Sequence, residues 1–374
     1  MAVMIILGCS GSTLFSQARP TATAQGQPTT PVSLGDFTLP ELQPRLDLDR
    51  DPVRSLDAEG AAPASSGGPL LLQPGELKKR DDGLYSLHAD VDEVLLNCAV
   101  IDEKGRSVMD LIRGDFRIWE DGAPQTTRSF LHQDLPVSLG ILVDNSGSMR
   151  DKRAAVNAAA LKLVRASNAE DTTFIVNFSD RAILDQGFTS DIDALSRGLS
   201  HFDSKGTTAL YDAVAASADE LGKHGKHPKQ VLLVITDGAD NASRLGLEQA
   251  IRRVQSLGGP VVYSIGLLFG ADKEESQRAR QALEMISQET GGVAYFPRSL
   301  QDVDSIAVEV ARDIRNQYTI GYHSTKPSSL GGYRVVHIEA KAPNHGKLIA
   351  RTRRGYYAKN PAPQLPLKAS VANP

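Results

Sequence analysis

Oxygen-bearing side chains follow directly after one strongly apolar segment of this chain. Residues 137–143 form an almost unbroken apolar run, which is typical of a parallel strand covered on both faces. Asp144, Ser146 and Ser148 come immediately afterwards, so one carboxylate and two hydroxyls stand where the predicted strand ends. Open α/β sheets bind their ligands at that end of the strands. Oxygen donors with no Cys or His beside them are suited to a hard divalent cation rather than to zinc or copper.

Two further segments carry oxygen donors to comparable positions. Residues 205–213 open a predicted helix and contain Thr207 and Thr208. Residues 231–238 begin as a second buried strand and hold Asp237 near its end. Because the carboxyl ends of parallel strands meet at one edge of a sheet, we expect these donors to lie close to the first group.

Taken in chain order, the three segments resemble the von Willebrand factor type A family. The pattern Asp-x-Ser-x-Ser from Asp144 resembles the family's metal-ion-dependent adhesion site, and the second strand ends in Thr-Asp-Gly, as the family's does. Thr208 corresponds to the family's metal-facing threonine, but Thr207 stands where a second glycine is usual and is a competing assignment. The resemblance implies a metal site formed by Asp144, Ser146, Ser148, Thr208 and Asp237.

The resemblance also implies an ion and a class of partner. Mg²⁺ accepts near-octahedral oxygen ligation and keeps several waters, and Mn²⁺ or Ca²⁺ is an alternative. Among these residues only Asp144 and Asp237 carry charge, so a cation held mostly by neutral hydroxyls stays electrophilic. In the family an outside carboxylate then takes an open position on the ion. We therefore expect a non-enzymatic adhesion or interaction module that captures an acidic side chain of a protein ligand.

The elements around these segments predict the fold. From residue 134 to residue 317, strand and helix patterns alternate, which indicates a mostly parallel sheet with helices on both faces. The flanking segments 82–133 and 318–358 have the patterns of strands and hairpins, and neither is long enough to bury a comfortable core alone. We predict a doubly wound, Rossmann-like α/β domain inserted into a small β-sandwich that the two flanking segments form together.

The predicted organisation runs from an export signal to a C-terminal tail. The ranges are 1–24 for a signal peptide, 25–81 for a disordered linker, 82–133 for the N-terminal half of the sandwich, 134–317 for the type A domain, 318–358 for the C-terminal half of the sandwich and 359–374 for a disordered tail. Residues 85–358, which close on Arg-Arg-Gly-Tyr-Tyr, are also similar to the secreted "VWFA-related" domain family described from Acidobacteria.

The N-terminal segment predicts export from a bacterial cell. Residues 1–7 are apolar, and residues 22–24 offer a cleavage site of the small-x-small type. Ile-Leu-Gly-Cys ending at Cys9 resembles a bacterial lipoprotein box, which implies lipidation of that cysteine. We expect a secreted, periplasmic or cell-envelope protein. Cleavage after residue 24 would leave it without a lipid, and lipidation at Cys9 is the alternative that would attach it to a membrane.

Composition gives no support to other classes of partner. A net charge of −4 over 374 residues is no reason to propose nucleic acid as a partner. No run approaches the roughly 18–20 apolar residues of a membrane span. With Cys9 lipidated or removed, Cys98 has no partner within the chain, so we interpret it as a buried small hydrophobe and expect no disulfide.

Two other functions stay open on the residues alone. One is a cell-envelope assembly or scaffold protein whose metal site is purely structural. The other is a hydrolase in which the cation activates water. Against the hydrolase, no His, Glu or Lys in the matched motifs is an evident general base. Asp144 also opens Asp-x-Ser, whereas phosphatases with an aspartyl nucleophile usually carry a second Asp two residues on. We therefore predict that the protein is not an enzyme.

Overall fold

A computed structural model of the chain describes residues 47–48, 77–79, 85–87 and 93–358, apart from residues 133, 202, 257 and 258. The predicted signal peptide, Cys9 and the predicted tail lie outside this part of the chain, as does most of the predicted linker. Among the described residues, no helix is both long enough and apolar enough to cross a membrane.

Among the described residues, seven strands form one sheet in which a single pairing is antiparallel. In sheet order they are β1 (Asp47–Leu48), β10 (Ala182–Thr189), β9 (Thr172–Phe178), β8 (Val137–Asp144), β11 (Lys229–Thr236), β12 (Val261–Gly266) and β13 (Ala294–Tyr295). The antiparallel pairing joins β9 to β10, a strand that the sequence patterns did not predict. Every residue of β8 is buried, because strands lie on both sides of it and helices cover both faces.

In the part of the chain that the structure describes, six helices cover the two faces of this sheet. They are α1 (Arg153–Ala166), α2 (Ile192–Ser200), α3 (Leu210–His224), α4 (Leu247–Ser256), α5 (Lys273–Thr290) and α6 (Val303–Arg315). One core cluster packs α1, α2 and α6 against Leu139, Ile141 and Val143 of β8. The other packs α3, α4 and α5 on the opposite face, against Leu142. The predicted doubly wound, mostly parallel sheet is confirmed.

The segments on either side of the α/β domain form one sandwich. Its first sheet has the order β16 (Leu348–Arg351), β4 (Glu93–Asp102), β14 (Tyr318–His323) and β7 (Thr127–Leu131). Its second sheet has the order β17 (Gly355–Tyr357), β15 (Tyr333–Ala340), β5 (Phe116–Glu120) and β6 (Ala123–Gln125). Each sheet takes strands from before and after the α/β domain, and one apolar cluster lies between the sheets. The insertion predicted from the short flanking segments is therefore confirmed.

Two short strands fall within the predicted linker 25–81. The first is β1, which pairs in parallel with β10 at the edge of the seven-stranded sheet. The second is β2 (Leu77–Lys79), which forms an antiparallel ribbon with β3 (Tyr85–Leu87). Their apolar patterns are too short to stand out in a segment rich in Pro, Gly and Ser.

Candidate metal centre

The two strands that end in acids are neighbours in the sheet. β8 and β11 pair in parallel with Val143 opposite Ile235, so Asp144 and Asp237 emerge at the same edge. Both acids are buried, with 0% and 4% of their surface exposed. The hydroxyl of Thr236 on β11 donates a 2.6 Å hydrogen bond to Oδ2 of Asp144, which ties the two strand ends together.

Asp144 is held by short hydrogen bonds in an environment that opposes its charge. Oδ1 accepts a 2.8 Å bond from the backbone N–H of Ser146, and Oδ2 accepts the bond from Thr236. Burial raises the pKa of Asp144 to about 6, and the nearby carboxylate of Asp237 adds to the rise, although these hydrogen bonds oppose it. A positive charge beside the Asp144 carboxylate would therefore stabilise its ionised form.

Two serine hydroxyls connect Asp144 to Asp237. The hydroxyls of Ser146 and Ser148 lie 3.2 Å apart. Ser148 donates a 2.7 Å hydrogen bond to Oδ1 of Asp237. The spacing results from a single turn of 3₁₀ helix at Gly147–Met149, which the fully buried Met149 side chain anchors in the core. Four predicted site residues thus form one continuous cluster of oxygen donors.

The structure distinguishes between the two threonines. Thr207 is exposed, and both its backbone N–H and its hydroxyl bond to the carboxylate of Asp180. Thr208 is buried, its N–H donates to Oδ1 of Asn241 at 2.8 Å, and its carbonyl accepts from the N–H of Asn241 at 3.0 Å. Because Asn241 follows closely after Asp237, these bonds hold Thr208 beside the loop that carries Asp237. This arrangement favours Thr208 over Thr207.

Asn145 and Asp240 hold the three loops in place, and the sequence analysis missed both. Asn145 accepts from Ser204 N–H through its side chain and from Lys205 N–H through its carbonyl, each at 3.0 Å. Asp240 accepts a 3.0 Å bond from the N–H of Tyr211 at the start of α3. Asn and Asp are common in turns, so residue type alone gives no sign of these cross-loop bonds.

Two basic side chains next to the cluster were also missed. Lys152 precedes α1, and its ammonium group pairs with Oδ2 of Asp237. Arg153 is fully buried and donates a 3.2 Å hydrogen bond to the backbone carbonyl of Asp144. It also donates to Asn177 Oδ1 at 2.8 Å, and burial lowers its pKa to about 10. Lys152 and Arg153 lie close to the serines in sequence, which is the one signal that could have marked them.

The donor chemistry of this cluster fits a hard divalent cation. Its gathered donors are carboxylate and hydroxyl oxygens, which Mg²⁺, Mn²⁺ and Ca²⁺ accept. Within the described part of the chain, no group of three or more His, Cys, Asp or Glu side chains lies close enough together to hold a metal. An ion at this edge of the sheet would be held by the carboxylates of Asp144 and Asp237, by neutral hydroxyls and by water, and these donors fit a hard divalent cation.

Comparison with solved structures finds proteins that are similar to parts of the chain. Solved structures similar to the chain include a von Willebrand factor type A protein from Catenulispora acidiphila, with 15% identity over 65% of this chain and 73% of that one and a TM-score of 0.43. Another is the vWF domain of the type V pili tip protein Mfa5 from Porphyromonas gingivalis, with 10% identity over 48% and 95% of the two chains and a TM-score of 0.41. A third is the PilB minor pilin from Streptococcus sanguinis, with 14% identity over 50% and 63% and a TM-score of 0.40.

A family model locates the resemblance in the sequence. No curated protein matches the chain. Residues 139–239 match the family model of the von Willebrand factor type A domain. This range begins in β8 and ends just beyond Asp237, so it includes the whole donor cluster. The chain therefore contains a von Willebrand factor type A domain.

Proposed function

We propose that this protein is a metal-dependent protein-binding module. A divalent cation, Mg²⁺ with Mn²⁺ or Ca²⁺ as alternatives, binds at a metal-ion-dependent adhesion site and captures an acidic side chain of a partner protein. The ligands are the five residues named above: Asp144, Ser146, Ser148, Thr208 and Asp237. Domains of this family typically mediate protein interactions, which supports a protein as the partner.

The observation that carries this proposal is the connected cluster from Asp144 through both serines to Asp237. Two buried carboxylates in one cluster need more positive charge than Lys152, which pairs with Asp237, supplies. A divalent ion supplies that charge. Because the remaining donors are neutral hydroxyls, the ion keeps enough net charge to attract a further carboxylate.

The cluster is accessible on one side. Asp144 and Ser146 are buried, whereas Gly147 and Ser148 are exposed to solvent. A partner's side chain can therefore approach over the Ser148 loop while the buried side is held by the protein. The protein carries out no reaction of its own in this proposal, because its role is to hold the ion and the partner's carboxylate together.

We also infer that the protein works outside the cytoplasm, as a secreted, periplasmic or envelope protein that is either soluble or attached to a membrane by a lipid at Cys9. The apolar N-terminus supports this inference. The similarity of residues 85–358 to the secreted "VWFA-related" family supports it as well.

The first experiment is calorimetric titration of Mg²⁺, Mn²⁺ and Ca²⁺ into the full chain. Asp144→Asn keeps the size of the buried side chain but removes its charge, so we expect saturable binding by the wild type and none by this variant. Asp304→Asn is the control, because Asp304 pairs with Lys162 on the surface, away from the cluster. Equal binding by the wild type and Asp144→Asn would contradict the proposed site.

A second experiment tests the partner. Displayed peptides centred on Glu or Asp, with matched Gln and Asn peptides as controls, are captured in Mg²⁺ and again in chelator. We expect capture of acidic peptides in Mg²⁺ only, and none by Asp144→Asn. If metal binds and raises the melting temperature while no peptide binding depends on it, the ion is structural and the protein is an assembly scaffold. Mg²⁺-dependent turnover of phosphoester or peptide substrates would instead support a hydrolase.

A further inference from the structure

One basic side chain of the protein occupies a carboxylate of the proposed metal site. The ammonium group of Lys152 pairs with Oδ2 of Asp237, while the Ser148 hydroxyl donates to Oδ1 of the same carboxylate at 2.7 Å. Both oxygens of Asp237 therefore already have a donor from the segment between β8 and α1. The Asp237 side chain is almost completely buried, so this pair is poorly screened by water.

Backbone hydrogen bonds place Lys152 next to this carboxylate, but its side chain can move away from it. Its N–H donates to the Met149 carbonyl at 2.9 Å, and its own carbonyl accepts from the N–H of Val156 in α1. The ammonium group lies 5.6 Å from the centre of the Phe269 ring, which gives it a second favourable contact. About a fifth of the Lys152 side chain remains exposed, so its flexible stem can swing the charge into solvent.

A divalent cation at the cluster and this ammonium group oppose one another. Both positive charges need the carboxylate of Asp237, which has a single negative charge to share. The second carboxylate, Asp144, accepts its hydrogen bonds from Ser146 and Thr236. Like charges within a few ångströms repel strongly where water is excluded. Binding of the ion therefore requires Lys152 to withdraw from Asp237.

We propose that Lys152 is an internal competitor of the divalent cation for Asp237. This inference rests on the proposed function of the same site. In the absence of metal, the ammonium group of Lys152 neutralises the charge of the Asp237 carboxylate. When the ion binds, Lys152 is displaced, so the lysine lowers the affinity of the site and sets the metal concentration at which it fills.

Calorimetric titration of Mg²⁺ into the full chain at one pH and one ionic strength tests this directly. Lys152→Met keeps the stem and removes the charge, and we expect it to bind Mg²⁺ about tenfold or more tightly, comparable to the effect of a neighbouring charge on the proton affinity of a carboxylate. Lys152→Arg keeps the charge and should bind no more tightly than the wild type. Lys162→Met is the matched control, because Lys162 lies on α1, the helix that Lys152 precedes, and pairs at the surface with Asp304.

Thermal unfolding provides a readout that a purely structural ion pair would not produce. In chelator, Lys152→Met should melt below the wild type, because Asp237 has lost its counter-charge. In saturating Mg²⁺ the difference should vanish or reverse, because the metal binds the variant more tightly and stabilises it more. A structural ion pair would lower the melting temperature equally in both solutions.

The outcomes separate this inference from the proposed function. If the wild type binds Mg²⁺ and Lys152→Met binds it equally or more weakly, competition by Lys152 is wrong and the metal site stands. If neither protein binds Mg²⁺, the proposed function is wrong and this inference fails with it. Binding by Lys152→Met alone would support competition by Lys152 and would contradict metal binding by the wild type at the Mg²⁺ concentrations used.

Discussion

At the scale of single residues, burial decides the chemistry of Cys98. This residue lies on β4 in the core of the sandwich with 0% of its surface exposed, as the alternation of its strand predicted. Burial raises the pKa of its thiol to about 12. The thiolate, which is the reactive form, is therefore almost absent near neutral pH. Cys98 acts as a small apolar side chain in the folded protein.

We predict that Cys98 does not react with Ellman's reagent at pH 8 until the protein unfolds. Cys9→Ser removes the other thiol, so the absorbance then reports Cys98 alone. We expect no reaction in buffer and one thiol per chain in guanidinium. Rapid reaction in buffer would contradict the burial of this side chain.

The raised pKa of Cys98 also predicts that the folded protein loses stability at alkaline pH. The folded state holds the thiol proton more tightly than the unfolded state, whose pKa is near 9.0. The contribution of Cys98 to stability is therefore fully present below about pH 9 and is lost as the pH rises towards 12.

At the scale of elements, the loop before α3 depends on one backbone conformation. Gly206 has φ of +90°, a region that side chains with a Cβ rarely adopt. A Cβ at this position would also lie 2.8 Å from the Asp180 carboxylate that holds Thr207. The loop that presents Thr208 therefore needs glycine here for two independent reasons.

We predict that Gly206→Ala lowers the free energy of unfolding by about 1–2 kcal/mol, the cost of a left-handed conformation for a residue with a Cβ. Metal affinity should fall as well, because Thr208 shifts with the loop. Gly187→Ala is the control, since its φ is not positive and nothing lies within 4 Å of the added carbon. Urea unfolding and Mg²⁺ titration of both variants measure the two effects. Equal behaviour of the two alanine variants would show that the Gly206 conformation does not matter.

At the scale of the whole molecule, Asp313 joins the type A domain to the sandwich. It lies near the end of α6 and accepts hydrogen bonds from the Tyr263 hydroxyl on β12 and from the guanidinium of Arg351 on β16. Gln317, between α6 and β14, donates to the same tyrosine at 2.8 Å. This polar group lies where α6 leads into the sandwich, so it couples the two parts of the fold.

We predict that Asp313→Asn lowers the free energy of unfolding by roughly 1–3 kcal/mol, because Arg351 is left with an uncompensated charge in a partly buried place. Glu339→Gln is the control, because Glu339 pairs with Lys341 at an exposed position and should change stability very little. Urea unfolding of both variants measures the difference. A stability of Asp313→Asn equal to that of Glu339→Gln would contradict this coupling.

Local sequence patterns were sufficient to predict the elements that form the site. The apolar run before Asp144 predicted a buried strand, the run before Asp237 predicted another, and parallel pairing predicted that both acids reach one edge. These predictions succeeded because burial on both faces of a strand imposes a pattern that can be read within a few residues. The antiparallel strand β10 was missed because its alternation is broken by irregular pairing with β9.

The sequence by itself determined the element types, the doubly wound sheet, the insertion into a sandwich and the set of oxygen donors. Only the tertiary structure decided that Thr208 is held beside the loop that carries Asp237, that Thr207 forms hydrogen bonds with Asp180, and that Lys152 pairs with Asp237. Lys152 and Asp237 are 85 residues apart in the chain, and their contact depends on the exact path of two turns. Periodicity records which face of an element is buried, but it carries no information about which distant side chain meets it there.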